Sequence, residues 1–497
     1  MAKIMNLGEV VDRNAFGDAI FLIEVAPDGS FRNLTYPQLH RDADALARGL
    51  TRRGLKRGER IGILAGNSAE YLIAYIGIMR AGLVPVPINF KLPRDTIDYI
   101  IGDSKIALML VDEARAGFVC SIPSVRMDEY AAWKDLLDPG EVAPLQMQDG
   151  EFATILYTSG STGRPKGVPL THGGYVWVVD VLTAAAPPFK GKRALVAAPL
   201  YHMNALIQSL LIGVAGGTVV MLRQFSARAY LEAAAGFRCE MVTAVPTMFA
   251  LAARETDLLE TLDLSHVQSA KSGSAPATDA LFDRLAKMFP NAPVTNWWGT
   301  TESGPVAFGA HPGGVARPKL ALGYPLPDTE LKLVDGPNGN EGVLWVRSKA
   351  ITPGYLNLPA ETAKKFKDGW YNTGDVMIRD ADGFYYFVGR ADDMFVCGGE
   401  NVYPGEVEML LERHPGVAQA VVLPLADEIK GHIPVAFIVR RPDAKCDVDD
   451  IKKFAIEHGP AYQHPRFVEF VTEMPLAGTN KIDRRVLAER AAKSFVR

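Results

Sequence analysis

The feature that most limits the fold of this chain is an alternation of short apolar runs with helically spaced ones. Arg60-Ile61-Gly62-Ile63-Leu64 reads as a strand, and Ile106 to Val111 is a continuous apolar run of the kind buried on both faces of a sheet. Between them, residues 69–81 carry a helical pattern. Upstream, Thr35-Tyr36-Pro37-Gln38 matches a capping box with proline in the first turn. Ala43, Leu46, Ala47 and Leu50 follow at helical spacing. Strands alternating with helices predict a largely parallel sheet with helices on both faces, an α/β fold.

The texture changes near residue 330. Glu330-Leu331-Lys332-Leu333-Val334 and Gly342-Val343-Leu344-Trp345-Val346 flank Asp335-Gly336-Pro337-Asn338-Gly339, which predicts hairpins in a β-rich module. After Arg390, a helix opened by Pro404 and β-type runs at 417–423 and 435–439 predict a small α+β domain. The expected division is a large N-terminal domain of layered, helix-flanked sheets plus the β-rich module (1–390), then a small C-terminal domain (391–497).

Composition narrows the function classes. With 53 basic and 57 acidic residues among 497, the net charge is −4 and offers no basic field for nucleic acid. Hydrophobic residues make up 48%, too many for a disordered chain. The four cysteines form no CxxC pair and lack histidines at metal-ligand spacing, which fits a reduced, cytoplasmic setting. The N-terminus does not read as a signal peptide. Residues 205–222 carry no charge, but Gly216-Gly217 and the β-like Thr218-Val219-Val220 divide them into a buried helix, a turn and a buried strand, so no membrane insertion is expected.

The strongest chemical signal is Thr158-Ser159-Gly160-Ser161-Thr162-Gly163-Arg164-Pro165-Lys166-Gly167, which follows the strand-like Ala153-Thr154-Ile155-Leu156-Tyr157. Hydroxyls and glycines let backbone N–H groups approach a polyphosphate closely, and Lys166 adds a point charge. The pattern is not that of a nucleotide P-loop, because Pro165 precedes the lysine and Gly167 follows it.

This segment resembles the phosphate-binding loop of the adenylate-forming superfamily, which includes acyl- and aryl-CoA synthetases, peptide-synthetase adenylation domains and luciferases. Further motifs follow in the order that family shows, over residues 34–485. Asn296-Trp297-Trp298-Gly299-Thr300-Thr301-Glu302 resembles its aromatic-Gly-x-Thr-Glu motif. The resemblance implies that Trp298 lies on adenine, that Thr301 contacts the α-phosphate, and that Glu302, with Thr158, holds Mg²⁺. A carboxylate suits that hard cation. Ser272-Gly273-Ser274-Ala275-Pro276 resembles the small-residue wall of the adenine site, with Ser274, Ala275 and Pro276 at the nucleotide. Tyr371-Asn372-Thr373-Gly374-Asp375 resembles the motif whose aspartate accepts from both ribose hydroxyls, and Arg390 resembles the second ribose and phosphate contact.

In Gly389 to Glu408, Asp392 matches the family's hinge, and Gly398-Gly399 the path along which the pantetheine thiol enters. Leu476 to Arg485 resembles the C-terminal lysine motif, with Asn480 where relatives usually have glycine. Lys481 is then the catalytic lysine, whose ammonium would stabilise charge building on the α-phosphate. Tyr201, His202, Met203, Asn204, Gly273 and Trp297 are expected at the acid pocket, with His202 bordering the reacting carboxylate and the thioester path. Many relatives have glycine where Trp297 stands. An indole there predicts a short tunnel, and so a short, branched or single-ring acid.

The implied enzyme is an AMP-forming carboxylate–CoA ligase that uses ATP, Mg²⁺ and coenzyme A as co-substrate. Its small C-terminal domain would swing between two half-reactions. A stand-alone adenylation enzyme loading a carrier protein shares every motif up to thiol transfer. The resemblance is also compatible with a homodimer.

Overall fold

In a computed structural model of the chain, residues 6–118, 122–158, 164–185, 189–336, 338–442, 444–477 and 481–495 are described. The expected alternation is present. A seven-stranded sheet runs in the order Val294–Trp297, Ser269–Gly273, Met241–Ala244, Arg193–Val196, Thr218–Leu222, Ile20–Val25, Phe31–Thr35. Its pairs are parallel except the last. A four-stranded parallel sheet holds Val84–Pro87, Arg60–Leu64, Ile106–Val111 and Ser124–Arg126. Helices Tyr36–Arg52 and Ala69–Arg80 pack between these sheets through buried Leu46, Leu50, Tyr71 and Ile76. The Thr35 capping box is formed, with the Gln38 side chain accepting from the Thr35 N–H. Residues 205–222 resolve as expected into helix Met203–Val214, a turn with Gly216 at φ +71°, and strand Thr218–Leu222. No helix of the described residues is long and apolar enough to cross a membrane.

The glycine-rich segment connects two antiparallel strands, Phe152–Thr158 and Lys166–Thr171, rather than a strand and a helix. A five-stranded module follows, in which Glu330–Val334, Glu341–Arg347, Trp370–Arg379 and Tyr385–Arg390 pair antiparallel in succession.

Beyond Arg390 a separate sheet forms around Val417–Asp427 and Gly431–Arg440. Alternation along these two strands sends Val421, Leu423, Val435 and Phe437 to one face and Ala420, Val422, Ala436 and Ile438 to the other. Helix Arg484–Ser494 covers the first face through Leu487 and Ala491. Helices Pro404–Glu412 and Val448–His458 cover the second through Val407, Leu411, Ile451 and Ala455. Both faces are thus apolar because both are covered.

One buried histidine makes the N-terminal core pH-sensitive. His172 Nδ1 accepts the Leu7 N–H at 3.0 Å, and burial holds the ring's pKa down to about 4. The folded state therefore requires a neutral ring, whereas the unfolded one titrates near 6.5. Stability from this residue is fully present above pH 6.5 and is lost as pH falls towards 4, on the order of 2 kcal/mol by pH 5. Urea unfolding at pH 7 and pH 5 is expected to show that drop, and a His172→Gln variant to show a smaller one. Equal drops in the two proteins would refute the assignment.

Candidate active site

Lys481 reaches the N-terminal part of the molecule from a short, tied loop. The Ala477 N–H donates to the Lys481 carbonyl at 2.7 Å, and Leu476 bridges Ile482. Arg484 clamps the loop to its own sheet, donating to the Val422 carbonyl at 3.0 Å and to Glu408 at 2.5 Å. The lysine side chain faces a cavity of about 760 Å³, so it keeps solvent access although protein surrounds it. That desolvation lowers its pKa, and Asp375 opposes the shift.

This cavity is lined by Thr158, Lys166, Thr301 and Glu302, and also by Ser274, Ala275 and Pro276. Arg390 and Asp392 lie towards the C-terminal part. Lys166 is buried and ion-paired to Glu361 at 2.8 Å, and Glu361 also accepts from Lys364 at 2.5 Å. These two lysines hold the Glu361 carboxyl down to about 2. Glu302 is buried, which raises its pKa, and it accepts the Tyr355 hydroxyl at 3.1 Å. Ser159, Gly160, Ser161, Thr162 and Gly163 of the glycine-rich loop lie outside the described residues.

An adjoining cavity of about 530 Å³ is lined by Asn296, Trp298, Gly299, Asp375, Arg390 and Lys481. Asp375 is placed by a kink in strand Trp370–Arg379. Gly374 sits at φ +74°, and a Cβ there would lie 3.0 Å from the Arg390 guanidinium, so both conformation and space call for glycine. Thr373 Oγ1 accepts the Asp375 N–H at 3.0 Å and donates to the Leu344 carbonyl at 2.7 Å. The carboxylate accepts the Trp298 indole N–H at 2.6 Å on one oxygen and the Arg390 guanidinium at 2.7 Å on the other. Burial raises the Asp375 pKa and Arg390 pulls it back. Arg390 also binds Asp392 at 3.0 Å. Asn296 donates to the Leu320 carbonyl at 3.0 Å, which fixes this end of its strand.

The third cavity is only about 40 Å³. Met203, Asn204, Gly273 and Trp297 line it, together with Ile207, Gln208, Thr243 and Lys271. A Cβ on Gly273 would come within 2.7 Å of the Trp297 carbonyl, so glycine permits the two strands to meet here. The Trp297 indole donates to Thr295 Oγ1 at 3.0 Å, and the Lys271 ammonium lies 4.3 Å from its ring centroid. Tyr201 and His202, expected at the acid pocket, line none of these three cavities. Tyr201 packs edge-on against Phe90 and His202. The buried His202 Nε2 has no hydrogen-bond partner among the described residues. Burial, then the charges of Lys481 and Lys91, hold its ring pKa down to about 4, so it is neutral at physiological pH.

Two further expected residues lie elsewhere. Gly398 and Gly399, at φ +62° and +92°, form the turn between Phe395–Cys397 and Glu400–Val402, and neither lines any of these three cavities. Sequence reading missed Tyr355, Glu361 and Lys271. The first two become site residues only through long-range packing. Lys271 carried a signal, a lone charge inside Ser269-Ala270-Lys271-Ser272-Gly273.

The donor set suits a hard divalent cation shared with phosphates: the Glu302 carboxylate and the Thr158 hydroxyl edge one cavity. Among the described residues no cluster of three or more His, Cys, Asp or Glu could hold a metal unaided.

Comparison with known proteins agrees with this geometry. Residues 11–356 match the model of AMP-binding enzymes, and residues 406–481 that of the AMP-binding enzyme C-terminal domain. A feruloyl-CoA synthase of Amycolatopsis sp is 32% identical over 458 residues, covering 90% of this chain and 92% of the relative. A fatty acid–[acyl-carrier-protein] ligase of Streptomyces coeruleorubidus is 31% identical, covering 92% of each. The crystal structure of an anthranilate CoA ligase in complex with anthranoyl-AMP superposes with a TM-score of 0.89 at 27% identity, over 99% of this chain and 98% of that one. The chain belongs to the AMP-binding enzyme family, and it is an ATP-dependent acyl-CoA synthetase of the adenylate-forming superfamily.

Proposed function

We propose that this enzyme adenylates a compact carboxylic acid and passes the acyl group to coenzyme A. The observation that carries the reading is Lys481, brought from the far end of the chain to a cavity it shares with Lys166, Thr301 and Glu302. In the first step a carboxylate oxygen attacks the α-phosphorus of ATP and pyrophosphate leaves. Lys481 and Thr301 meet the negative charge that builds on the α-phosphate. Asp375 accepts from the ribose diol, Trp298 offers its face to adenine, and Ser274, Ala275 and Pro276 form the opposite wall. Lys166 and the loop beginning at Thr158 hold the leaving phosphates. A bound Mg²⁺, held by Glu302 and Thr158, would neutralise phosphate charge. In the second step the thiolate attacks the acyl carbonyl and AMP leaves. Rotation about Asp392 would withdraw Lys481 and bring Gly398-Gly399 to the opening. Neutral His202 would border the reacting carboxylate without adding charge.

The small acid cavity supports the compact substrate. Trp297 fills space, and packed interiors do not stretch to admit a long chain. The feruloyl-CoA synthase relative favours CoA as acceptor, and the carrier-protein ligase relative is the specific reason to test the alternative. The test is pyrophosphate release with a panel of acids, each with and without CoA. An acid-dependent release that CoA accelerates is expected. A single burst that CoA leaves unchanged would point to a carrier protein. Trp297→Gly should raise the ratio of kcat/KM for medium-chain over short acids by roughly tenfold, a change of about 1.4 kcal/mol. An unchanged ratio would sink the role given to Trp297.

A further inference from the structure

Where the C-terminal domain meets the rest of the molecule, one enclosed carboxylate lacks a counter-ion. Several others are held by cations: Asp44 by Arg80 at 2.8 Å, Asp375 by Arg390 at 2.7 Å, and Glu408 by Arg484 at 2.5 Å. Glu412, one turn beyond Glu408 on helix Pro404–Glu412, differs. Among the described residues it forms no ion pair, and its Oε1 accepts the Ala420 N–H at 3.0 Å. Its side chain borders cavities of about 760 and 240 Å³, so water reaches it although protein surrounds its carboxyl. An unpaired charge enclosed in this way is costly, and a carboxyl relieves the cost by keeping its proton.

The groups that face Glu412 come from both sides of this seam. From its own helix come the like charge of Glu408, and Glu406 and Arg413, which line the smaller cavity with it. From the N-terminal side, helix Asp279–Met288 presents the Thr278 hydroxyl, Asp279 and Arg284, and Arg254 lines the larger cavity. Arg284 does not neutralise the carboxylate. It stays beyond ion-pair distance, its Nε has no partner among the described residues, and Arg254 and Arg441 crowd it with like charge. Burial, with Glu408 adding to it, outweighs the hydrogen bonds from Ala420 and Thr278 and the pull of Arg284. The Glu412 pKa is therefore held up to about 7.

We propose that Glu412 is a proton-operated latch between the two parts of the chain. Protonated, it holds the C-terminal domain in the orientation that brings Lys481 to the shared cavity; ionised, it releases that domain towards thioester formation. The inference rests on the rotation about Asp392 proposed above. Rotation would carry helix Pro404–Glu412 away from Thr278 and Arg284 and return Glu412 to water, where a glutamate titrates near 4.5. The carboxyl thus binds its proton more tightly in this orientation than in the rotated one. Low pH favours this orientation, and the advantage is lost as pH rises through 7. The ratio of this orientation to the rotated one should fall roughly tenfold between pH 6 and pH 8. The same rise increases the thiolate fraction of coenzyme A, since a free thiol titrates at about 8.5. Proton release at Glu412 and at the thiol then favour the same half-reaction.

The test reads domain orientation directly, by energy transfer between two fluorophores on the full chain. Glu260→Cys and Glu457→Cys place them at exposed positions on either side of the seam. Cys120→Ser completes this labelled parent, since the other three cysteines are buried. Between pH 6 and pH 8 the parent should show a transition centred near 7, with the roughly tenfold change in ratio. Glu412→Gln, a neutral mimic of the protonated form, should stay in this orientation at both ends. Arg284→Gln removes the cation that favours ionised Glu412 and should move the midpoint upward. Thermal unfolding midpoints matching the parent's show that the variants are folded. Transfer that does not change with pH in the parent, or the same pH dependence in Glu412→Gln, would overturn the proposal. If AMP with coenzyme A still changes the transfer, the rotation stands without the latch. If neither pH nor those two ligands changes it, the rotation fails and the latch with it.

Discussion

Lys481→Ala is expected to lower the rate of acyl-adenylate formation by roughly 10²- to 10³-fold, the usual effect of removing one preorganised group from a developing charge. The loss should fall on kcat, because charge gathers on the α-phosphate only as the carboxylate attacks. Thioester formation from preformed acyl-adenylate and CoA should change little, since that step does not need an ammonium at the α-phosphate. Single-turnover measurement of the two half-reactions separates them. Equal losses in both would show that Lys481 supports the fold or the domain interface instead. The pH profile gives an independent check. Burial lowers the Lys481 pKa in the free enzyme, and the reactive form is the protonated one. The first half-reaction should therefore decline as pH rises, earlier than an ordinary lysine would dictate, and Lys481→Arg should move that limb upward.

Asp375→Asn is expected to weaken ATP binding on the order of 10²-fold, because a neutral amide cannot offer charge-assisted bonds to both ribose hydroxyls. The substitution also leaves the Arg390 guanidinium without the carboxylate it meets at 2.7 Å. ATP and 2′-deoxy-ATP distinguish these effects. The wild type should bind the deoxy analogue roughly tenfold less tightly, while Asp375→Asn should bind both alike. Equal binding of the two nucleotides by the wild type would place the ribose elsewhere. Trp298→Phe provides a milder companion. It keeps an aromatic face for adenine but deletes the N–H that holds the second Asp375 oxygen at 2.6 Å. Its effect should appear in the same discrimination, at a smaller size.

Local rules account for much of what the sequence alone determined. Capping at Thr35, the apolar run at Ile106–Val111 and the Gly216 turn depend on neighbours in the chain, and the structure forms each. The motifs that end in Asp375, Arg390 and Lys481 were legible for another reason: they follow one another in the order that the adenylate-forming superfamily shows, and that resemblance carried the expected roles. Tertiary structure alone decided which of those residues share a cavity. Lys481 reaches Asp375 and His202 because helix Arg484–Ser494 is pinned to its sheet by Leu487 and Ala491, and no spacing in the chain encodes that reach. Glu361 meets Lys166 across the fold, and Tyr355 meets Glu302 in the same way. Lys271 shows the limit most clearly. Its charge was visible as one letter in a strand of small residues, but its lack of a counter-ion among the described residues is a property of everything packed around it. A missing partner is set by three-dimensional packing and cannot be read along one dimension.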